Sequence, residues 1–110
     1  REALARVAAG TDLRDAEGRT ALMVTVSRSD YPNVRTTARL LLDAGADPNL
    51  ADAKGWTSLM HAIRAPSVAM VELLVARGAD VTVRDAEGRT PADHARTSPY
   101  AREIAAALRR

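Results

Sequence analysis

Two segments of the chain place apolar residues at the spacing of one helix face, and each segment ends at a glycine, Gly45 or Gly78. Residues three and four positions apart share a face, so each segment predicts a short helix with a single apolar stripe. The glycines stand where a left-handed residue closes a helix. The two stripes are Ala38, Leu41 and Leu42, and Val68, Val71, Leu74 and Val75. Helices this short are expected to bury such stripes against neighbouring helices.

A second feature of the chain is that its motifs recur. Three segments align: Asp15-Ala-Glu-Gly-Arg-Thr-Ala-Leu-Met, Asp52-Ala-Lys-Gly-Trp-Thr-Ser-Leu-Met and Asp85-Ala-Glu-Gly-Arg-Thr-Pro-Ala-Asp93. Their glycines are 37 and then 33 residues apart, and each is expected in a turn with positive φ. The motif Leu40-Leu-Leu-Asp-Ala-Gly-Ala-Asp47 recurs 33 residues later from Leu73. Two motifs repeating in one register predict a repeat architecture.

These motifs resemble those of the ankyrin repeat family, from residue 15 to about residue 110. The resemblance implies an all-α repeat solenoid of ankyrin-type helix-turn-helix pairs, with β-hairpin fingers projecting from the helix ends. Members of the family are usually binding modules rather than enzymes. The helix starts are also predicted by Thr20, Thr57 and Thr90, because a threonine hydroxyl can accept an orphan N–H of the first turn.

The repeats divide the chain into four parts of one continuous domain. Residues 1–14 are interpreted as the second helix of a partial N-terminal repeat or cap. Residues 15–51 form a first repeat with an insertion between its helices, and residues 52–84 form a second repeat. Residues 85–110 are interpreted as a C-terminal capping repeat.

Two departures from the pattern carry information. Four extra residues fall within 27–34 of the first repeat. They are either a tolerated loop insertion or extended helix end, or a recognition loop that displays Tyr31. Arg96 stands where the earlier repeats have Val26 and Ile63, so we expect a solvated end of the stack there.

Composition narrows the class of protein without naming its function. The length of 110 residues suits one small domain, and the absence of cysteine excludes disulfides and Cys-ligated zinc. No apolar run approaches the ~20 residues of a membrane helix, so no membrane partner is expected. A net charge of +2 is too small to argue for nucleic acid by itself. Arginine and alanine abundance at the expense of lysine indicates a bacterial source, and the compartment is left open with the cytoplasm favoured.

The residues that could carry chemistry do not form a reactive constellation in the sequence. His61 and His94 are the only histidines and lie 33 residues apart, which predicts equivalent positions on adjacent first helices. We interpret them as helix-surface or stacking residues, because no carboxylate cluster with metal-ligand spacing accompanies them. Serine nucleophile turns and glycine-rich phosphate loops are also missing from the sequence. We therefore expect no enzyme, no cofactor and no bound metal.

The resemblance implies that partners contact the finger tips and the exposed ends of the first helices. Eight residues occupy matching positions and are the candidate partner-binding residues: Glu17, Arg19, Arg28, Lys54, Trp56, Arg64, Glu87 and Arg89. Trp56 is the one tryptophan, and tryptophan and arginine are enriched in binding hot spots. The alternative for Trp56 is local packing against a neighbouring finger, with a cation–π contact to Arg19 or Arg89. The alternative for the arginines is a solvated face.

Taken together, the residues and the resemblance predict a monomeric module that binds a protein or peptide with an acidic or mixed surface. A rigid surface of this kind loses little conformational freedom on association. The principal alternative is a regulatory or structural segment that docks within a longer polypeptide, because the chain begins at Arg1 in mid-pattern. Nucleic-acid binding and catalysis are disfavoured.

Overall fold

The computed structural model describes residues 14–28 and 33–109. Within these residues the chain forms short α-helices joined by turns. They are α1 (Ala21–Val26), α2 (Val34–Asp43), α3 (Ser58–Arg64), α4 (Val68–Ala76), α5 (Pro91–Ala95) and α6 (Ala101–Leu108). The predicted partial helix in residues 1–14 lies almost wholly outside the described residues, and so does Tyr31.

The first helix of each pair begins at one of the predicted threonines. The Thr20 hydroxyl accepts a hydrogen bond from the backbone N–H of Met23. Thr90 and Asp93 form a reciprocal capping box, in which each side chain accepts the backbone N–H of the other residue. The prediction is wrong for Thr57: its backbone is extended as at the other caps, but its hydroxyl makes no bond to the first turn of α3.

The helices are arranged as three stacked pairs. Within the pairs α1 contacts α2, α3 contacts α4, and α5 contacts α6. Between the pairs α1 contacts α3 and α3 contacts α5, while α2 contacts α4 and α4 contacts α6. Each helix therefore packs on its pair partner and on its counterpart in the next pair, which confirms the all-helical repeat fold. The described part of the chain is elongated, with extents of 42 × 27 × 24 Å.

The core follows the predicted apolar stripes. Ala38 and Leu42 of α2 are buried, as are Val71 and Leu74 of α4. Leu41, Val68 and Val75 are partly buried and pack against the same cluster. Burial of this kind joins neighbouring pairs, because no pair has enough apolar neighbours of its own to cover its stripe.

The segments that precede α1, α3 and α5 are tight turns, which we call fingers 1, 2 and 3 (residues 15–19, 52–56 and 85–89). The expected β-hairpins are not present: no strand occurs in the residues that the structure describes. In finger 2, for example, the N–H of Asp52 donates to the carbonyl of Trp56, and Gly55 donates to Asp52. One backbone bond joins adjacent fingers, from Ala53 to Glu17 and from Ala86 to Lys54. So few bonds cannot form a strand ladder.

The C-terminal end of the stack is polar where the interior is apolar. Arg96 ends α5 with a largely exposed side chain that lies 3.4 Å from Asp93. Its counterparts Val26 and Ile63 are buried. The interpretation of residues 85–110 as a solvated capping repeat stays a prediction. No helix in the described ranges is long and apolar enough to cross a membrane.

Candidate binding surface

An aspartate organises each finger. Asp15, Asp52 and Asp85 use Oδ1 to accept the backbone N–H groups of the residues two and four positions ahead, at 2.9–3.0 Å. These bonds fold the carboxylate under the turn and fix its backbone, in the way that aspartate side chains stabilise tight turns. The three fingers thus share one frame, and they differ in what the second carboxylate oxygen binds.

In finger 3 the second oxygen of Asp85 has two partners. It lies 3.0 Å from Nε2 of His94 and 3.3 Å from Nε of Arg89. Burial alone would raise the pKa of Asp85, but the N–H of Arg89, the His94 ring and the N–H of Glu87 together lower it to about 2. An ionised carboxylate only accepts, so we assign the bonding hydrogen to His94 Nε2.

In finger 2 the second oxygen of Asp52 has one partner, the His61 ring at 2.9 Å. Trp56 occupies the position that arginine holds in the other fingers, so no guanidinium from finger 2 reaches this carboxylate. Burial acts to raise the pKa of Asp52, while the N–H of Trp56, the His61 ring and the N–H of Lys54 outweigh it and lower the pKa.

In finger 1 the second oxygen of Asp15 binds the arginine alone. Arg19 Nε lies 3.0 Å from Asp15, and another guanidinium nitrogen lies 3.2 Å from Glu17. Val24 occupies the place of the histidine, and the Asp15 side chain is 39% exposed, against 4% for Asp52. The finger-1 ion pairs are therefore surface pairs.

The Trp56 ring lies between the two histidines. Its centroid is 5.2 Å from that of His61 and 4.9 Å from that of His94, and the His94 contact is edge-on. Lys54 Nζ and the Arg64 guanidinium lie 5.6 and 5.9 Å from the ring centroid. The alternative of a cation–π contact from Arg19 or Arg89 to Trp56 is therefore wrong, because each of these arginines forms ion pairs with carboxylates of its own finger. Trp56 is half-buried and is both a packing residue and part of the surface.

The structure brings some of the eight candidates together and separates others. Lys54, Trp56 and Arg64 form one cluster, which we call the Trp56 surface. Glu17 pairs with Arg19, and Glu87 pairs with Arg89 at 2.6 Å. Arg28 is exposed after the end of α1 and is engaged in a contact of its own. A cleft of about 150 Å³ separates fingers 1 and 2; it is lined by Glu17, Arg19, Asp52, Ala53, Lys54 and His61.

Two features were missed in the sequence. The Asp–His pairs could have been found, because Asp52 and His61 are separated by nine residues, as are Asp85 and His94. The second feature is a shallow groove of about 470 Å³ beside α5 and α6, which no pattern in the sequence predicts. It is lined by Ala92, Ala95, Arg96, Ala101, Arg102, Ala105 and Arg109.

The histidines serve the fold in this arrangement. The side chains of His94 and Asp85 are both fully buried, so their bond is closed to a substrate. Burial is the main cause that lowers the pKa of His94, and the positive charges of Arg89 and Arg64 add to it against the opposing effect of Asp85. Among the described residues no group of three or more acidic, histidine or cysteine side chains could hold a metal ion.

Comparison with known proteins accounts for the repeating pattern. The family of ankyrin repeats in three copies matches residues 2–85 and 29–108. The 2-5A-dependent ribonuclease of Mus musculus is 35% identical over 66 residues, which are 60% of this chain and 9% of that protein. The matched segment thus covers less than a tenth of the length of this curated relative. Repeats of this family are typically non-catalytic and generally mediate protein interactions.

Proposed function

Since the chain belongs to the ankyrin repeat family, we propose that it is an interaction module that holds a protein or peptide partner against its fingers and the neighbouring helix ends. The observation that carries this proposal is the Trp56 surface, where a half-buried tryptophan lies with two exposed cationic side chains. Tryptophan and arginine give a large contact area with directed polar groups.

The fingers are suited to binding because they are rigid before a partner arrives. Each is fixed by an aspartate that accepts two backbone N–H groups, and each pair of neighbours is joined by a backbone bond. A surface that need not become ordered loses less conformational entropy on association. The partner we propose has an acidic or mixed surface and meets the eight candidate residues; an isolated monomer and a cytoplasmic location also remain predictions, as does a bacterial source.

The proposal is tested by peptide selection followed by mutation of the fingers. Peptides are selected from a displayed random library on the full chain, and their affinities are measured by calorimetry. The triple variant Arg19→Glu, Trp56→Ala, Arg89→Glu should lose at least about tenfold in affinity, which corresponds to about 1.4 kcal/mol. Its helix content should be retained, while its melting temperature should fall by several degrees because Arg89 pairs with the buried Asp85.

A matched control separates the finger surface from the overall charge. Arg35→Glu with Arg39→Glu makes the same two charge reversals on exposed residues of α2. This variant should keep the affinity within about twofold. Equal losses in the two variants, or an unchanged affinity in the triple variant, would contradict a binding site on the fingers.

A second candidate function is docking within a longer polypeptide, as a regulatory or structural segment. The observation that favours it is the small share, 9%, of the mouse ribonuclease that the matched segment covers. The flanking sequence of the full gene product decides between the two. If it encodes further domains, co-expression of each domain with this chain should yield a complex that the triple finger variant does not form.

A further inference from the structure

We infer that the Trp56 surface is a receptor for a single carboxylate of the partner, with an adjoining apolar side chain packed on the exposed part of the Trp56 ring. Fingers 1 and 3 flank this receptor and do not supply its cations. The inference rests on the proposed function, because it names the chemistry that one part of the same surface recognises.

The first reason is that positive charge is neutralised in fingers 1 and 3. Arg19 lies within 3.2 Å of carboxylates of its own finger, and Arg89 lies within 3.3 Å of Asp85 and 2.6 Å of Glu87. An arginine that already holds two carboxylates has little to gain from a third. Arg19 and Arg89 are two of the eight predicted partner-binding residues, and this pairing removes them as receptors for a carboxylate.

The second reason is that the cations of the Trp56 surface keep their charge uncompensated. In the part of the chain that the structure describes, neither Lys54 nor Arg64 lies within ion-pair distance of a carboxylate. Arg64 donates one hydrogen bond to the Thr97 hydroxyl at 3.2 Å, and a guanidinium has five N–H donors. Both cations lie within 6 Å of the centroid of one aromatic ring. A carboxylate that reaches both cations would gain charge-assisted hydrogen bonds from each of them.

The third reason is that the ring itself is held in place. His61 and His94 contact it from two neighbouring helices. The backbone beneath the ring is fixed as well, because the backbone N–H of Trp56 donates to Asp52 at 3.0 Å. The histidines are in turn bound to the finger aspartates at 2.9 and 3.0 Å. A side chain fixed in this way presents an apolar face without losing rotamer freedom on binding.

The flanking acidic side chains decide against an extended polyanion. Glu17 and Glu87 stand on the fingers to either side of finger 2, and their side chains are 69% and 71% exposed. Each of fingers 1 and 3 holds two carboxylates against one arginine, and this net negative charge would repel the successive phosphates of a nucleic acid. One carboxylate in a peptide whose neighbouring residues are neutral or basic avoids that repulsion. The partner is therefore a peptide segment with an isolated Asp or Glu next to an apolar residue.

The test uses Trp56 as its own reporter, because it is the one tryptophan of the chain. Peptides selected on the full chain are titrated while tryptophan fluorescence is followed, each beside a copy with the acidic residue changed to its amide. A ten-nucleotide oligothymidylate is titrated in parallel. We expect a fluorescence change with the acidic peptides, an affinity at least about tenfold weaker for the amide copies, and no binding of the oligothymidylate.

Two variants and one control locate the receptor. Lys54→Glu should weaken the acidic peptides at least about tenfold, while Arg35→Glu, the same charge reversal on α2, should leave them within about twofold. The double variant Lys54→Glu, Trp56→Arg gives finger 2 the sequence of fingers 1 and 3, so it should fold and yet bind no acidic peptide by calorimetry. A urea titration checks that both variants are folded.

The outcomes separate this inference from the proposed function. If the peptides show no acidic preference, or resist Lys54→Glu while the triple finger variant abolishes binding, the carboxylate receptor is wrong and the interaction module stands. Tighter binding of the oligothymidylate would also overturn the receptor. If no peptide is selected, or none responds to any finger change, both proposals fail.

Discussion

Fingers 2 and 3 share a backbone frame but differ in their neighbours. Finger 2 is enclosed: a Cβ on Gly55 would lie 2.6 Å from the backbone nitrogen of Ala86. No described residue packs on the outer side of finger 3, where a Cβ on Gly88 would meet no atom within 4 Å. The two glycines have nearly the same φ, +77° and +80°. The same motif is therefore constrained by its own turn in finger 3, and by its turn and a neighbouring finger in finger 2.

The side chains of the two fingers differ in the opposite sense. Finger 3 closes on itself, because Arg89 and His94 both bind the buried carboxylate of Asp85. Finger 2 leaves Lys54 and part of Trp56 open to solvent, and among the described side chains only that of His61 binds its aspartate. The enclosed backbone thus supports the more open surface. A binding surface benefits from this division, since rigid support lowers the entropic penalty of presenting exposed groups.

The largest expected effect comes from the glycines. Gly55→Ala places an alanine in the strained left-handed region and also displaces the backbone of finger 3. We therefore expect a loss of about 3 kcal/mol in the free energy of unfolding. Gly88→Ala bears only the conformational penalty, about 1–2 kcal/mol. Urea titration of the two variants measures the difference. Equal losses would mean that contact between fingers contributes nothing to the stability of the stack.

The sequence predicts the shared frame of the fingers better than their differences. Repeated glycine, threonine and aspartate positions carry the turns and helix starts, because those residues act through their own local backbone. The partners of Arg19 and Trp56 depend on which side chains the stack brings together. For that reason the alternative of a cation–π contact from Arg19 or Arg89 to Trp56 is wrong, and the bond from His94 to Asp85 is not among the sequence predictions. The open groove beside Arg96 depends equally on packing.

The next difference between the fingers concerns how the stability of the protein depends on pH. The folded pKa of Asp85 is about 2 against 3.8 for an ordinary aspartate, so its contribution to stability is complete above about pH 4 and is lost as the pH falls towards 2. The pKa of His94 is lowered from 6.5, so the unfolded chain takes up a proton first and stability also falls below pH 6.5. Both groups predict a protein that is most stable at neutral pH or above and loses stability in acid.

The contribution of Asp85 can be isolated by Asp85→Asn. At pH 7 the variant should lose about 2 kcal/mol, because four donors surround this carboxylate, and Asp52→Asn should lose less, because three donors surround the equivalent one. The difference in free energy of unfolding between Asp85→Asn and the parent chain should disappear as the pH falls from about 4 to about 2. Urea titrations across this range measure it, and a gap independent of pH would show that the ionised carboxylate is not what stabilises finger 3.

The smallest expected effect lies in the finger arginines. Arg89→Gln and Arg19→Gln each remove two ion pairs from side chains of similar exposure, 40% and 38%. Exposed pairs contribute at most about 1 kcal/mol, and we expect Arg89→Gln to lie near that limit because its Asp85 partner is fully buried. Arg19→Gln should lower the free energy of unfolding by less. Salt at about 1 M should remove most of the loss caused by Arg19→Gln but little of the loss caused by Arg89→Gln, since screening acts on exposed charges. Thermal unfolding at low and high salt compares the two variants. A larger or more salt-resistant loss of stability for Arg19→Gln than for Arg89→Gln would contradict this prediction. It would show that burial of the aspartate does not set the strength of the arginine–aspartate ion pair.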